Sequence, residues 1–364
     1  MKFKQEEYKT ITIVQAAGIV SVVIGHFYYQ PFDVLHPYTY HMPLFFFLGG
    51  LLMSEGSLLN SIQKTITKHG SYLVKSYIIT GIIASLLVYL YGVEQRKPFS
   101  DGVLSTIEFT IKNNFGNNPL FVVAWFLFAY IIASIICKTI VSSAENIKRK
   151  KLLIAIVSTA FFFIGIKYLP SIYTNRSMYL VNLSAQVATA CGFILTGYLM
   201  KGYIFKIIRF DVMATLLFLM IIIKNAGMQK GVNIAWSVYQ DGFILSVVTT
   251  LSGIYIVFTL CHSASKIDGF NKIISYVGRN TKSIMTYHIL AFYLVDIFFF
   301  KSGMYDITQT ATYSHYKSVG SWPIYILAGV FIPVAMSYLY EKIKHTFIKI
   351  FHLSSNSPNN TLPH

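Results

Sequence analysis

The sequence predicts an all-α, polytopic integral membrane protein with about ten transmembrane helices and with both termini on the inner side. Hydrophobic residues make up 54% of the 364 residues and charged residues only 12%, about half the charged fraction of a typical soluble domain. Apolar runs of about 20 residues, the length that crosses a bilayer as a helix, recur along the whole chain. We place the spans near residues 10–29, 40–59, 72–92, 119–141, 151–169, 180–200, 205–223, 241–262, 280–300 and 322–343.

The basic residues support this orientation of the termini. The chain holds 30 Lys and Arg residues against 14 Asp and Glu residues, for a formal net charge of +16. With the N-terminus inside, most of these cations fall in segments that face the cytoplasm, which is the pattern of the positive-inside rule. The net charge therefore indicates topology and contact with anionic membrane lipids. We expect no nucleic-acid partner.

The first span ends in Gly25-His26. A histidine on a membrane helix is costly unless it lines a cavity, has a polar partner or takes part in chemistry. Gln15 lies 11 positions earlier on the same face, about 16 Å away along the helix axis. Two interpretations stay open: His26 is a hydrogen-bonding residue at the outer edge of the bilayer, or it is the catalytic group of a polar site. Imidazole suits the second role because it titrates near neutral pH.

A second histidine opens span two, in the run His41-Met42-Pro43-Leu44-Phe45-Phe46-Phe47-Leu48-Gly49-Gly50. The loop between the first two spans is short, so we expect His41 on the same outer side as His26. Tyr38 and Tyr40 lie beside it, and aromatic and imidazole rings are common at the membrane interface. His41 is therefore either an interfacial ring or a second member of the polar site.

Three lysines, Lys64, Lys68 and Lys75, lie in a segment that we predict to be a cytoplasmic turn between spans two and three. The simplest interpretation is that they are topogenic charges. The functional alternative is a clamp for the phosphates of an anionic cofactor, in which each lysine acts as a point charge.

Span nine carries His288 about 12 Å from its inner edge, by helix geometry. That depth requires a polar partner, so we expect either a functional role or a place in a buried network. Asn280 or Thr281 is expected to cap this helix at its inner end. Asp296, farther along the same span, is assigned to the membrane interface.

One membrane domain, residues 1–351, accounts for nearly the whole chain. The longest outer loop, near 93–118, is polar and Asn-rich, and we expect it to form a lid or to stay mobile. Residues 352–364 are predicted to be a disordered tail. Phosphate-binding and dinucleotide-binding Gly-rich motifs do not occur in the sequence, and the three cysteines lack metal-ligand spacing. We therefore expect no permanently bound cofactor and no metal.

Four motifs are informative as a set. They are Val22-Val23-Ile24-Gly25-His26, the run from His41 to Gly50, Trp125-Phe126-Leu127-Phe128-Ala129, and Val277-Gly278-Arg279-Asn280-Thr281 with Tyr287-His288. In their order, and with the length and number of spans of the chain, they resemble the membrane-bound acyltransferase 3 family, bacterial O-acyltransferases of glycans that include fucose 4-O-acetylase-like proteins. The resemblance covers about residues 8–345. Gln15 stands where many members have an arginine, and dispersed lysines replace an Arg-rich motif after span two.

The resemblance implies transfer of an acyl group from acetyl-CoA, or another acyl-CoA, to a hydroxyl of a cell-surface polysaccharide or its lipid-linked precursor. O-antigen and exopolysaccharide are examples of such acceptors, and the location would be the bacterial plasma membrane. His26 would be the catalytic residue, as a general base or as a covalent acyl carrier, with His41 beside it. The resemblance places the acyl-CoA contacts at Gln15, Lys64, Lys68 and Lys75. Residues expected to line the route of the acyl group or the substrate are Trp125, Asn280 and His288.

The alternative function is export or flipping of a polysaccharide without acyl transfer. A transporter is expected to have several intramembrane charges and an energy-coupling group. This sequence has few such charges and no nucleotide motif, so acyl transfer is the favoured interpretation.

Overall fold

The computed structural model describes residues 3–27, 36–54, 56–229, 231–267, 269, 271–318 and 320–355. Within these ranges the chain forms fourteen α-helices, and its extended pairings are two isolated bridges. The first seven helices are α1 Gln5–His26, α2 His41–Leu51, α3 Leu58–Thr65, α4 Ser71–Tyr91, α5 Val103–Lys112, α6 Ala124–Ser143 and α7 Lys150–Phe163. The remaining seven are α8 Leu169–Ile172, α9 Tyr179–Met200, α10 Phe210–Asn225, α11 Gly242–Ala264, α12 Asn271–Arg279, α13 Thr281–Lys301 and α14 Trp322–Ser355.

The all-α membrane fold predicted from the sequence is confirmed. In the described part of the chain, eight helical segments are long and apolar enough to cross a membrane. They are Gln5–His26, Leu58–Tyr91, Ala124–Ser143, Lys150–Ile172, Tyr179–Met200, Gly242–Ala264, Thr281–Lys301 and Trp322–Lys344. These eight correspond to eight of the ten predicted spans. The other two predicted spans are the shorter helices α2, with 11 residues, and α10, with 16 residues.

The predicted cytoplasmic turn around Lys64 and Lys75 is helical instead. Helix α3 passes through a π-helical turn, Ile66–Gly70, directly into α4. The Thr65 and Thr67 hydroxyls donate hydrogen bonds to the Ser61 and Gln63 carbonyls one turn earlier, with oxygen-to-oxygen distances of 2.9 Å and 2.8 Å. Charged residues on an exposed helical face gave the same sequence pattern as a turn. The lysines are therefore displayed at helical spacing.

Helix α1 occupies the centre of the bundle, where it contacts α2, α11, α12, α13 and α14. Most of its side chains from Thr10 to His26 are buried. A helix that is apolar all round is one that other helices surround. The polar side chains of α1 therefore face protein or an internal cavity instead of lipid.

Short helix α2 is held against α9 by close backbone contact. A Cβ atom placed on Gly50 would lie 1.7 Å from the Ile194 carbonyl oxygen, and one on Gly197 would lie 2.0 Å from the Phe47 carbonyl oxygen. Small residues at such positions let membrane helices approach backbone to backbone. With 11 residues, α2 is only about 16 Å long. Its burial against α9 explains how so short a segment keeps a fixed place in the bundle.

The outer loop near 93–118, which we expected to form a lid or to stay mobile, has a defined fold. It contains helix α5, and its Asn117 and Asn118 side chains are buried against α4. The Asn117 amide donates to the Tyr77 hydroxyl at 2.6 Å, and the Asn118 amide donates to the Thr80 hydroxyl at 3.0 Å. At the C-terminus, α14 extends to Ser355, four residues into the predicted tail, and the rest of that tail lies outside the described residues.

Candidate functional site

His26 is buried at the C-terminal end of α1, with 8% of its surface exposed. Its Nδ1 lies 2.8 Å from the Val22 carbonyl oxygen. A carbonyl oxygen only accepts hydrogen bonds, so Nδ1 carries the proton and Nε2 presents a lone pair. This geometry fixes the tautomer in which Nε2 can act as a base.

His288 of α13 is the closest imidazole partner described for His26. The two ring centroids are 4.9 Å apart, with the rings steeply inclined at 67°. His288 Nδ1 donates to the carbonyl oxygens of Ile284 at 2.9 Å and Met285 at 3.0 Å. Its Nε2 is buried and has no hydrogen-bond partner among the described residues. Two imidazoles, each with a basic Nε2, therefore meet at this depth of the bundle.

His41 is also buried, and it lies near the C-terminal end of α1, as this pair does. Its Nδ1 contacts the Pro37 carbonyl oxygen at 2.5 Å, so its Nε2 is again the basic nitrogen. The Tyr38 ring packs edge-on against His41, with centroids 5.1 Å apart, and the Tyr38 hydroxyl donates to the Gly25 carbonyl at 2.7 Å. Tyr38 thus ties the start of α2 to the end of α1 at His26.

Asp296, which we expected at the membrane interface from its place near a span end, is enclosed by protein. It is fully buried, and its carboxylate accepts hydrogen bonds from His315 Nδ1 at 2.8 Å and from the Tyr325 hydroxyl. It also accepts from the Thr310 hydroxyl at 3.0 Å and from the Tyr316 backbone N–H at 3.1 Å. The loop between α13 and α14 folds back over the end of α13, which removes this carboxylate from water. The sequence alone does not reveal this arrangement, because it depends on how the loop between α13 and α14 folds over α13.

A cavity of about 570 Å³ lies on the side of the His26 and His288 pair away from Asp296, toward the end of the bundle that carries the N-terminus. Its polar lining brings together residues from five segments of the chain: Gln15, Asn60, Ser61, Lys64, Lys68, His69, Lys138 and Lys282. Three of the predicted acyl-CoA contacts, Gln15, Lys64 and Lys68, are among them. The volume falls within the range of small-molecule sites, about 300–1,000 Å³.

The cavity is also lined by two lysines that the sequence analysis did not single out, Lys138 and Lys282. Lys282 Nζ lies over the Tyr72 ring, 5.1 Å from its centroid. Lys138, on α6, is buried and donates to the Ser54 carbonyl at 2.6 Å. Lys138 is the only charged residue between Ala124 and Ser143, and a lone cation in an apolar span is a signal for a functional site.

The remaining predicted residues lie in other places. Lys75 is exposed on α4 and is not among the described residues that line the cavity. Trp125 is buried and packs edge-on against Phe126, which does line the cavity. Asn280 is half-buried, and its side-chain amide donates to the Tyr276 carbonyl at 2.8 Å. Trp125 and Asn280 therefore border the lining residues without being part of the lining.

The cavity lies on the N-terminal side of the imidazole pair along α1 and α13, and neither His26 nor His288 is among its lining residues. Ile19 of α1 and Met285 of α13 line the deep part of the cavity. His26 follows Ile19 by seven residues, about 10 Å along the axis, and His288 follows Met285 by less than one turn. A molecule anchored by the lysines and extended along α1 points at these two rings. The arrangement can hold an anionic head group at one end and place a reactive group near two bases at the other.

Comparison with protein-family models matches residues 8–340 to a model described as an acyltransferase domain. The matched range begins in α1 and ends in α14, so it includes the cavity and the three imidazoles described above. No curated protein and no solved structure matches the chain.

Proposed function

The chain belongs to the membrane-bound acyltransferase 3 family, and on that premise we propose that it is an O-acetyltransferase of a surface glycan. The donor is acetyl-CoA, or a related acyl-CoA, taken from the cytoplasmic side. The acceptor is a hydroxyl of a polysaccharide such as O-antigen or exopolysaccharide, or of its lipid-linked precursor. The protein acts as a multi-pass protein of the bacterial plasma membrane.

The observation that carries this proposal is the lysine-lined cavity that leads toward His26. Lys64, Lys68 and Lys282 supply positive charge where the phosphates of CoA bind, and lysine serves phosphate as a point charge. Gln15, in place of the arginine seen in many members, offers a neutral amide donor. The pantetheine arm then extends along α1 and brings the thioester to the imidazoles.

The chemistry follows from the tautomer of His26. Its Nε2 takes the proton of the acceptor hydroxyl as the oxygen attacks the thioester carbonyl. The new C–O bond replaces the C–S bond, and CoA leaves as the thiolate, to which the proton on His26 is returned. His288 lies edge-on to His26 and places a second imidazole beside it. This step needs no co-reactant other than donor and acceptor.

The first test measures transfer from radiolabelled acetyl-CoA by the full chain in nanodiscs, with His26→Ala as the variant. We expect His26→Ala to lower the rate by at least about 100-fold, in the range of a general base. In cells, the O-acetyl content of the surface glycan, read by NMR at matched expression, should fall as well. Unchanged O-acetylation by the variant would refute the role of His26. Movement of glycan across the nanodisc without release of CoA would instead favour the exporter.

The second test separates cavity lysines from other inner-side lysines. Lys68→Ala and Lys282→Ala should each raise the KM for acetyl-CoA about tenfold, because a hydrogen bond to a charged group contributes about 1.5–3 kcal/mol. Lys148→Ala is the matched control, since Lys148 is an exposed lysine of the loop between α6 and α7. Lys75→Ala should resemble this control. Equal effects of all four substitutions would show that general positive charge, not the cavity, attracts the donor.

A further inference from the structure

The loop between α13 and α14 contains a tight turn that two carboxylates hold in place. Ala311 and Ser314 pair through two backbone hydrogen bonds, of 2.9 Å and 3.0 Å. Before this turn the Thr310 hydroxyl binds Asp296, and after it His315 and the Tyr316 N–H bind the same carboxylate. Both ends of the turn are thus fixed to a single buried acid on α13.

A second acid holds the middle of the turn. The Thr312 backbone N–H and hydroxyl donate to one oxygen of Glu94, at 2.7 Å and 2.8 Å. The other oxygen of Glu94 pairs with Arg96 Nε at 2.6 Å. Hydrogen bonds to ionised groups are shorter and stronger than neutral ones. The turn is therefore rigid although it lies in a loop.

This rigid turn carries Tyr313 at its tip, over His26. The two rings are nearly parallel, at 18°, with centroids 5.9 Å apart. Thr312 is fully buried, but 50% of the surface of Tyr313 is exposed. The ring lies on the far side of His26 from the lysine cavity, so it borders the side from which an outer acceptor arrives.

We infer that Tyr313 is the stacking platform for a pyranose ring of the acceptor, which makes it a specificity-determining residue of the acyl transfer. The inference rests on the proposed function and names the acceptor class at that site. A pyranose has an apolar face of C–H groups and a rim of hydroxyls, so it covers an aromatic face while its rim stays available for hydrogen bonds. Stacked on Tyr313, such a ring directs a rim hydroxyl toward His26. Asp296 and Glu94 are positioning residues, because they act through the turn.

The experiment compares Tyr313→Ala, Tyr313→Phe and Tyr89→Ala, each as the full chain in nanodiscs with radiolabelled acetyl-CoA. Tyr89 is the matched control, a tyrosine of α4 that is 86% exposed. The acceptors are a panel of methyl pyranosides, with sorbitol as a polyol that has hydroxyls but no ring. Acceptor KM, acetyl-CoA KM and slow hydrolysis of acetyl-CoA are measured for every variant.

Tyr313→Ala is expected to raise the KM for methyl pyranosides about tenfold, which equals about 1.4 kcal/mol. Tyr313→Phe keeps the ring and should stay within about twofold of the parent. The KM for acetyl-CoA should not change in either variant, and Tyr313→Ala should lower transfer to pyranosides more than transfer to sorbitol. An unchanged acetyl-CoA KM also shows that Tyr313→Ala is folded. If that variant does not fold, Tyr313→Leu replaces it, because leucine fills the position without an aromatic face.

Two negative results have different meanings. If Tyr313→Ala keeps the parental KM for pyranosides, the platform is refuted, and Tyr313 is then an interfacial ring only. If the parent protein hydrolyses acetyl-CoA but transfers to none of the pyranosides, the proposed acceptor class fails, and the platform fails with it. If pyranoside and sorbitol transfer fall equally in Tyr313→Ala, the ring acts on His26 and not on the sugar, which also refutes the inference.

Discussion

Replacing Asp296 with alanine is expected to destabilise the protein by about 4 kcal/mol. The substitution leaves four donors without their acceptor: the buried side chains of Thr310, His315 and Tyr325, and the Tyr316 backbone N–H. An unsatisfied buried donor costs about 1–3 kcal/mol, so two such donors cost about 2–6 kcal/mol. The Thr310 hydroxyl can rotate to another acceptor, so we count only the donors of His315 and Tyr325.

The assay is the free energy of unfolding from SDS titration in mixed micelles, with thermal melting as a second readout. Asp306→Ala is the matched control, because Asp306 is an exposed acid of the same loop that caps Thr308 at 3.0 Å. Loss of such a cap costs about 1 kcal/mol. Asp296→Asn keeps the size of the side chain and should lie between the two. A loss for Asp296→Ala no larger than that for Asp306→Ala would refute the reasoning that buries this carboxylate under the loop.

Two further predictions concern α2. Gly197→Ala should destabilise the protein by about 1–3 kcal/mol, because its Cβ would lie 2.0 Å from the Phe47 carbonyl oxygen of α2. Gly70→Ala is the control and should be neutral or stabilising, because the neighbouring atom described there is 4.0 Å away. Stability is measured by SDS titration, and equal stability of the two variants would contradict the close contact of α2 with α9. His41→Gln should lower kcat for transfer roughly 100-fold, as expected for an acid–base side chain, with the KM for acetyl-CoA within twofold; a change in KM alone would place His41 with the donor.

The membrane fold could be predicted because it depends on apolar length, which is local information. Eight long apolar runs became eight membrane-length helices. The early end of α2 could not be recognised, because Leu52 and Met53 continue the apolar run past Leu51 and Leu58 resumes it after only four small or polar residues. The position at which a helix ends inside an apolar run depends on packing against its neighbours. The contact of Gly50 of α2 with the backbone of α9 is an example.

The candidate site was predictable one residue at a time, but not as an arrangement. His26 and His288 each attract attention as imidazoles on apolar helices, yet nothing in a single sequence relates positions 262 residues apart. Asp296 was placed at the interface because it lies near a span end, and the loop that covers it is set by tertiary contacts. Lys282 and Lys138 had the appearance of ordinary topogenic charges until the cavity brought them together.

The contact between α2 and α9 also bears on how a ligand could enter the lysine-lined cavity. Leu48 and Gly49 of α2 form one wall, and that wall cannot shift without carrying α9 along. The facing wall is α3, which has no buried residue, and segments with few buried contacts open at the lowest free-energy cost. The cavity thus has one wall, α2, that is held in place and one wall, α3, that can move. Motion of α3 is therefore the least costly way for a ligand to enter or leave this cavity.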